Sequence, residues 1–275
     1  MNNHASQMSC YRPFYESVYR TDHSSNYGGD DDSRIAFIRQ ITKAWLERGG
    51  VTADDMVLEL GCGLGYLSDF HPNWVGMEFS LQACGRIARR GVNGYILNAD
   101  MQTLPFKTGS LRAVFSWVAI EHVPHPEYVL AEVERVLNSG GIAILAPAWN
   151  CRSWTVKHLE VRTYAELSWP DRLTKVMIPL RNCMIWRGFW ALLLRIRREI
   201  AALRGPVAFD YRRLYPDFCA SQIHLADDDA YASMDAHAAI IYYESRGWEI
   251  LSHRTFASRF FVRNAPVVVR KPARD

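Results

Sequence analysis

Nowhere does this chain run for about eighteen apolar residues without a charge, and Met1 to Tyr11 is polar with no apolar signal core. These absences argue against a membrane-spanning helix and against secretion, and they point to a cytoplasmic location. Charge of one sign is also missing. Lys and Arg total 32 against 29 Asp and Glu, a net +3, too slight for the concentrated basic surface of a dedicated nucleic-acid binder. The six cysteines (Cys10, Cys62, Cys84, Cys151, Cys183 and Cys219) form no C-x-x-C pair and no His/Cys spacing suited to zinc. They read as reduced, mostly buried thiols, and no metal site is expected.

The chain has 275 residues, enough for one large α/β domain with an elaboration or for two small domains. Its organising stretch is Met56 to Ser68, where the apolar strand pattern Met56-Val57-Leu58-Glu59-Leu60 breaks into Gly61-Cys62-Gly63-Leu64-Gly65. Gly61 and Gly63 lack a Cβ, so the backbone can turn tightly and approach a ligand. Leu64 onward can start a helix, placed near Tyr66 to Phe70, whose free amides would face that ligand. Glu59 lies inside the apolar strand, where a buried carboxylate needs a partner. The next strand, Trp74 to Met77, ends at Glu78, where an acidic side chain can accept both ribose hydroxyls. A dinucleotide fingerprint would need glycine at 66, which is Tyr66. That departure disfavours a nicotinamide-dependent oxidoreductase.

The G-x-G-x-G spacing with a preceding acidic residue resembles the first motif of the class I methyltransferases that use S-adenosylmethionine. The resemblance implies an α/β fold: a doubly wound seven-stranded sheet, mostly parallel with an antiparallel last strand, and a helical cap inserted after strand five. Asp100 and Met101 match the family's adenine contacts, the acidic residue accepting from the amino group and the next side chain covering the ring. Ser116 and Trp117 fall where a small polar residue meets the methionine portion, and Glu121-His122 matches a Glu-His pair that often follows. The cofactor set implied is Glu59, Gly61, Cys62, Gly63, Gly65, Glu78, Phe79, Asp100, Met101, Ser116 and Trp117.

Four regions are expected. Residues 1–30, rich in tyrosine and phenylalanine, form either a lid over the cofactor or a tail whose aromatics pack on the surface. Residues 31–147 form the cofactor-binding core, 148–230 the helical cap over the substrate, and 231–275 a last helix (Tyr231 to Arg246) and edge strands (Trp248 to Ser252, Val262 to Val269). Within the cap, Pro179 and Gly205-Pro206 bracket one helix of about two dozen residues. Its tryptophans and leucines alternate with arginines. Two readings stand: a helix packed on the core with its arginines solvated, or an interfacial helix with peripheral contact at the inner membrane surface through 180–203. Asp227-Asp228-Asp229 reads as a helix cap in preference to a metal site.

Methyl transfer needs an aligned nucleophile, exclusion of water and at most one proton removed. The candidate bases are His122, with His125 and Glu121 beside it, and His224 from the cap. His122 also suits a structural role, and an acceptor of favourable pKa needs no base. The acceptor is a small molecule, a lipid or a lipid-linked glycan. Two rivals are a non-methylating S-adenosylmethionine enzyme and a catalytically silent module that only holds the cofactor.

Overall fold

The computed structural model describes residues 12–20, 32–216 and 227–273. Strand β1 (Val57–Leu60) is apolar at three of four positions and buried at all four, because it lies at the centre of the sheet. It pairs in parallel with β2 (Trp74–Glu78) on one side and β4 (Leu111–Trp117) on the other. β3 (Tyr95–Asn98) extends the sheet beyond β2, and β5 (Leu137–Ala146) extends it beyond β4. Near the C-terminus, β9 (Val267–Arg270) runs antiparallel to β5, and the two-residue β8 (Glu249–Ile250) closes that edge. The order is β3-β2-β1-β4-β5-β9-β8. The expected seven-stranded, mostly parallel sheet with an antiparallel strand near its end is therefore the one observed.

Alternation along the strands divides the core in two. Leu58, Leu60 and Val114 face α4 (Pro126–Val136) and α8 (Ala236–Glu244). Val57, Phe115 and Ile144 face α2 (Asp32–Arg48) and α3 (Leu81–Arg90). α3 begins where the Ser80 hydroxyl accepts from Ala83 N and ends at Gly91 in the left-handed conformation. A helix α1 over 12–20 lies against this face. Its Val18 and Tyr19 pack on Leu64 and Ala83, and Glu16 accepts from the Leu81 and Gln82 amides at the start of α3.

Four expectations about local structure are corrected. Residues 63–69 form successive turns instead of a helix, with Gly65 N bonded to Cys62 O and Ser68 N to Gly65 O. Positive φ at Gly63 and Gly65 prevents the continuous right-handed ladder. The single cap helix between Pro179 and Gly205 is two, α6 (Ile178–Asn182) and α7 (Met184–Ala202), separated by non-helical backbone at Cys183, and a further helix α5 (Trp169–Val176) precedes them. The last helix starts at Ala236, because Ala232–Met234 pair as β7 with β6 (Tyr211–Arg213) and Asp235 then caps α8. The final strand starts at Val267, and Thr255 and Ser258 form a capping box that opens a short α9 (Phe256–Phe260) in the preceding stretch.

Candidate functional site

A cavity of about 720 Å³ opens at the C-terminal ends of β1, β2 and β4, the edge at which an open α/β sheet binds ligands. α1 and the start of α2 lie along its mouth through Tyr15, Tyr19, Arg34 and Ile35. The glycine turn forms its floor. Gly61, Gly63 and Gly65 have φ of 71°, 56° and 70°, and a Cβ on Gly61 would sit 2.5 Å from the Ala119 Cβ. A Cβ on Gly63 would point past the Tyr19 hydroxyl, 3.5 Å away, into the cavity.

Glu78 braces this turn. One carboxylate oxygen accepts from Gly63 N at 3.0 Å and the other from Ser80 N at 2.9 Å. Burial nonetheless pushes its pKa up to about 7, against the pull of those amides. Asp100 accepts from Gln102 N at 2.8 Å, and Met101 lies beside it, both on the cavity wall with Phe79. The Arg12 guanidinium stacks on the Phe79 ring at 4.3 Å. The sequence spacing thus brings Gly61, Cys62, Gly63, Glu78, Phe79, Asp100, Met101 and Trp117 into one cavity.

Three expected residues have other occupations. Glu59 reaches the cavity wall, but its carboxyl accepts from the buried Trp74 indole at 2.8 Å. Burial and then the neighbouring Glu78 raise its pKa to about 8, outweighing the indole, so it is held largely neutral at pH 7. Ser116 is fully buried and donates to Leu60 O, tying β4 to β1 away from the cavity. Gly65 also lies off the lining, where a Cβ would press on Ile87 at 3.2 Å. His224 lies outside the described residues.

His122 is at the cavity but is poorly suited to take a proton. Its Nδ1 lies 3.1 Å from Asp229 and its Nε2 3.6 Å from Glu121, both carboxylates being buried. Burial by itself lowers the imidazolium pKa, yet Asp229 and then Glu121 outweigh it and push the value up to about 10. The ring thus sits between two buried carboxylates that favour its protonated form, while burial pushes the Glu121 carboxyl up, toward its own neutral form. His125 caps α4 and contacts Glu127 and Arg213 outside the cavity.

The Asp227–Asp229 run caps no helix. It arrives as a turn against the cavity, with Asp227 at φ 62°. Asp228 pairs with the buried His158 at 2.9 Å, and Asp229 accepts from the Tyr15 hydroxyl at 2.8 Å. Together with Trp149 and Asn264, the run forms a polar part of the cavity wall. Sequence reasoning missed this wall. Its one signal, three consecutive carboxylates, fits a cap equally well. Among the described residues, the insertion reaches the cavity only through its two ends, and α5 to α7 contribute no lining residue.

His122→Ala leaves Asp229 and Glu121 buried without their cation, and the expected loss is about 3 kcal/mol of unfolding free energy in urea. A folded-state pKa near 10, above the unfolded value near 6.5, means that this stability is fully present below pH 6.5 and fades as pH rises through 10. Equal stability of mutant and wild type at pH 6 would show that the clamp contributes nothing.

Residues 58–145 match the family model described as a methyltransferase domain. The chain is similar to methyltransferases over this stretch. The match covers β1 to β5 with the glycine turn and the Glu78 and Asp100 positions, and S-adenosylmethionine is the cofactor of the class. A malonyl-[acyl-carrier protein] O-methyltransferase of Hamiltonella defensa is 27% identical over 143 residues, covering 48% of this chain and 54% of that protein. An uncharacterized methyltransferase of Mycobacterium marinum is 32% identical over 114 residues, 38% of this chain and 44% of its own. The chain therefore spans about half the length of these relatives. Among solved structures, a SAM dependent methyltransferase from Aquifex aeolicus is 18% identical, with a TM-score of 0.40 over 48% of this chain and 76% of that one.

The methyltransferase domain's own residues fit that cofactor. Each Glu78 oxygen accepts one amide and keeps a second lone pair for a hydroxyl, and Asp100 faces the same cavity with acceptor capacity to spare. The space beside Gly63, which a side chain would fill, is open to the nucleoside.

Proposed function

We propose that the protein transfers a methyl group in line from S-adenosylmethionine to a small-molecule, lipid or lipid-linked glycan acceptor. The observation that supports this most is the meeting, in one cavity, of a glycine turn flanked by Glu78 and Asp100 with the polar residues Trp149, Asp229 and Asn264. When bound, the cofactor supplies an electrophilic methyl on a sulfonium that departs as a neutral thioether. The chain's contribution is to hold and align. Glu78 accepts the ribose hydroxyls, Asp100 accepts from the adenine amino group, Met101 covers the ring, and α1 shields the mouth from water. The clamped His122 orients Asp229 and does not act as base, which suits an acceptor that loses its proton readily to water. A lipid-carried acceptor would be met at a membrane surface, and the contact falls to 180–203.

Isothermal titration calorimetry with S-adenosylmethionine, S-adenosylhomocysteine and NADH tests the cofactor assignment directly. Binding of the two sulfur compounds without NADH is the expected outcome, and binding of NADH alone would replace methyl transfer with hydride transfer. Radiolabelled methyl offered with lipid and with water-soluble extracts then separates the acceptor classes.

Glu78 gives this proposal a pH signature. Hydroxyl donors favour the carboxylate, so affinity for S-adenosylmethionine should rise as pH passes through about 7, by up to about tenfold per unit below that point. Stability moves the opposite way. The folded pKa lies above the unfolded one, so the group costs stability as pH rises from about 4.5 to 7. Glu78→Ala should weaken binding by about 1–3 kcal/mol and flatten the pH profile. Affinity in the wild type that is constant from pH 6 to pH 8 would remove Glu78 from the ribose contact.

A further inference from the structure

The segment 172–198 contains seven Lys and Arg residues and no Asp or Glu. In an amphipathic helix docked on a core, apolar side chains face inward and cations face water. α7 is inverted. Arg195 and Arg198 turn into the molecule and share Asp235, at 2.8 and 2.7 Å, and Arg195 also donates to the carbonyls of Phe260 and Val262. Glu199, on the same face, pairs with His237. The reading of a packed cap helix with solvated arginines is thereby corrected for Arg195 and Arg198, while Arg187 and Arg197 are exposed. No residue of α7 is buried, and its apolar side chains are left outside: Met184 is 75% exposed, Ile185 81% and Phe189 53%. Trp186 and Trp190 lie beside them with rings 5.9 Å apart, and Trp169 on α5 and Leu180 on α6 are exposed as well. Apolar exposure on this scale needs a cover.

Charge decides which cover. Arg187 and Arg197 remain exposed among these apolar residues with no carboxylate in the segment to answer them, so the opposing surface is anionic. A second copy packed about a two-fold axis would set the same cations against one another. Tryptophan and arginine around an aliphatic tip match the boundary between headgroups and acyl chains. α7 is about 28 Å long, and no helix among the described residues is apolar enough to cross a membrane.

We infer that α5, α6 and α7 form an arm that buries the face around Ile185, Phe189 and Trp190 in the headgroup boundary of an anionic bilayer, with the Arg195–Asp235–Arg198 cluster fixing its angle to the sheet. The inference goes beyond methyl transfer, and its test needs no turnover.

The full-length protein is floated with vesicles of phosphatidylcholine alone and of phosphatidylcholine mixed with phosphatidylglycerol. Recovery with the anionic vesicles, reduced by added salt, is expected. Ile185→Glu with Phe189→Glu should lower partitioning by at least about tenfold, and an unchanged melting temperature would show that these exposed changes leave the fold intact. Arg187→Glu with Arg197→Glu should lower the preference for phosphatidylglycerol by about fivefold per charge. Undiminished binding of the Ile185/Phe189 variant would overturn the inference. So would absence of the wild type from anionic vesicles, and light scattering on that sample would then show whether a second copy covers the face.

Discussion

Replacing Gly63 by valine is expected to weaken S-adenosylmethionine binding by at least about 100-fold, roughly 3 kcal/mol, while leaving the chain folded. The new side chain would project into the cavity beside Tyr19, into space proposed to receive the nucleoside. It would also force a β-branched residue to φ 56°, a conformation that costs about 1–3 kcal/mol and loosens the amide held by Glu78. Gly61 makes the useful comparison. A Cβ there meets Ala119 at 2.5 Å and Met101 at 3.4 Å, so Gly61→Ala should lower the melting temperature more and weaken binding less than Gly63→Val. Calorimetry and thermal melts on both variants separate the two causes. Micromolar affinity in Gly63→Val would move the cofactor to another part of the molecule.

Asp235→Ala is expected to cost about 3 kcal/mol of stability, because this residue of the C-terminal segment anchors the insertion. The carboxylate answers two largely buried guanidinium groups and also accepts from His237 N at the start of α8. Removing it leaves Arg195 with only the Phe260 and Val262 carbonyls and Arg198 with only the exposed Asp210, and it uncaps the helix. Urea unfolding measures the loss, and a decrease below about 1 kcal/mol would mean that the arginines find water instead. Asp235→Asn keeps the size and the cap but not the charge, so it should recover only the smaller share. The pH dependence has a definite sign. Burial would raise the Asp235 pKa, but Arg195 and Arg198 outweigh it and hold the value below 3.8. The stability it contributes is present above pH 3.8 and is lost as pH falls through the folded value, so wild type and Asp235→Ala should converge in acid.

What could be read without coordinates was local. The run Val57–Leu60 followed by three glycines states a buried strand and a tight turn, Ser80 and Gly91 state the ends of α3, and the spacing to Glu78 and Asp100 places both carboxylates at successive strand ends of a parallel sheet. Hydrophobic period, capping and glycine conformations act over a few residues, so sequence alone determines them. Tertiary structure decided the rest. Ser116 is taken by Leu60 across 56 residues, Tyr15 by Asp229 across 214, and α7 is turned inside out by an aspartate 37 to 40 residues away. The arginines of α7 have the same helical spacing whether they face water or Asp235. Only the arrival of a buried anion from another element makes the inward orientation the more stable one, and that pairing leaves no periodic trace in the sequence.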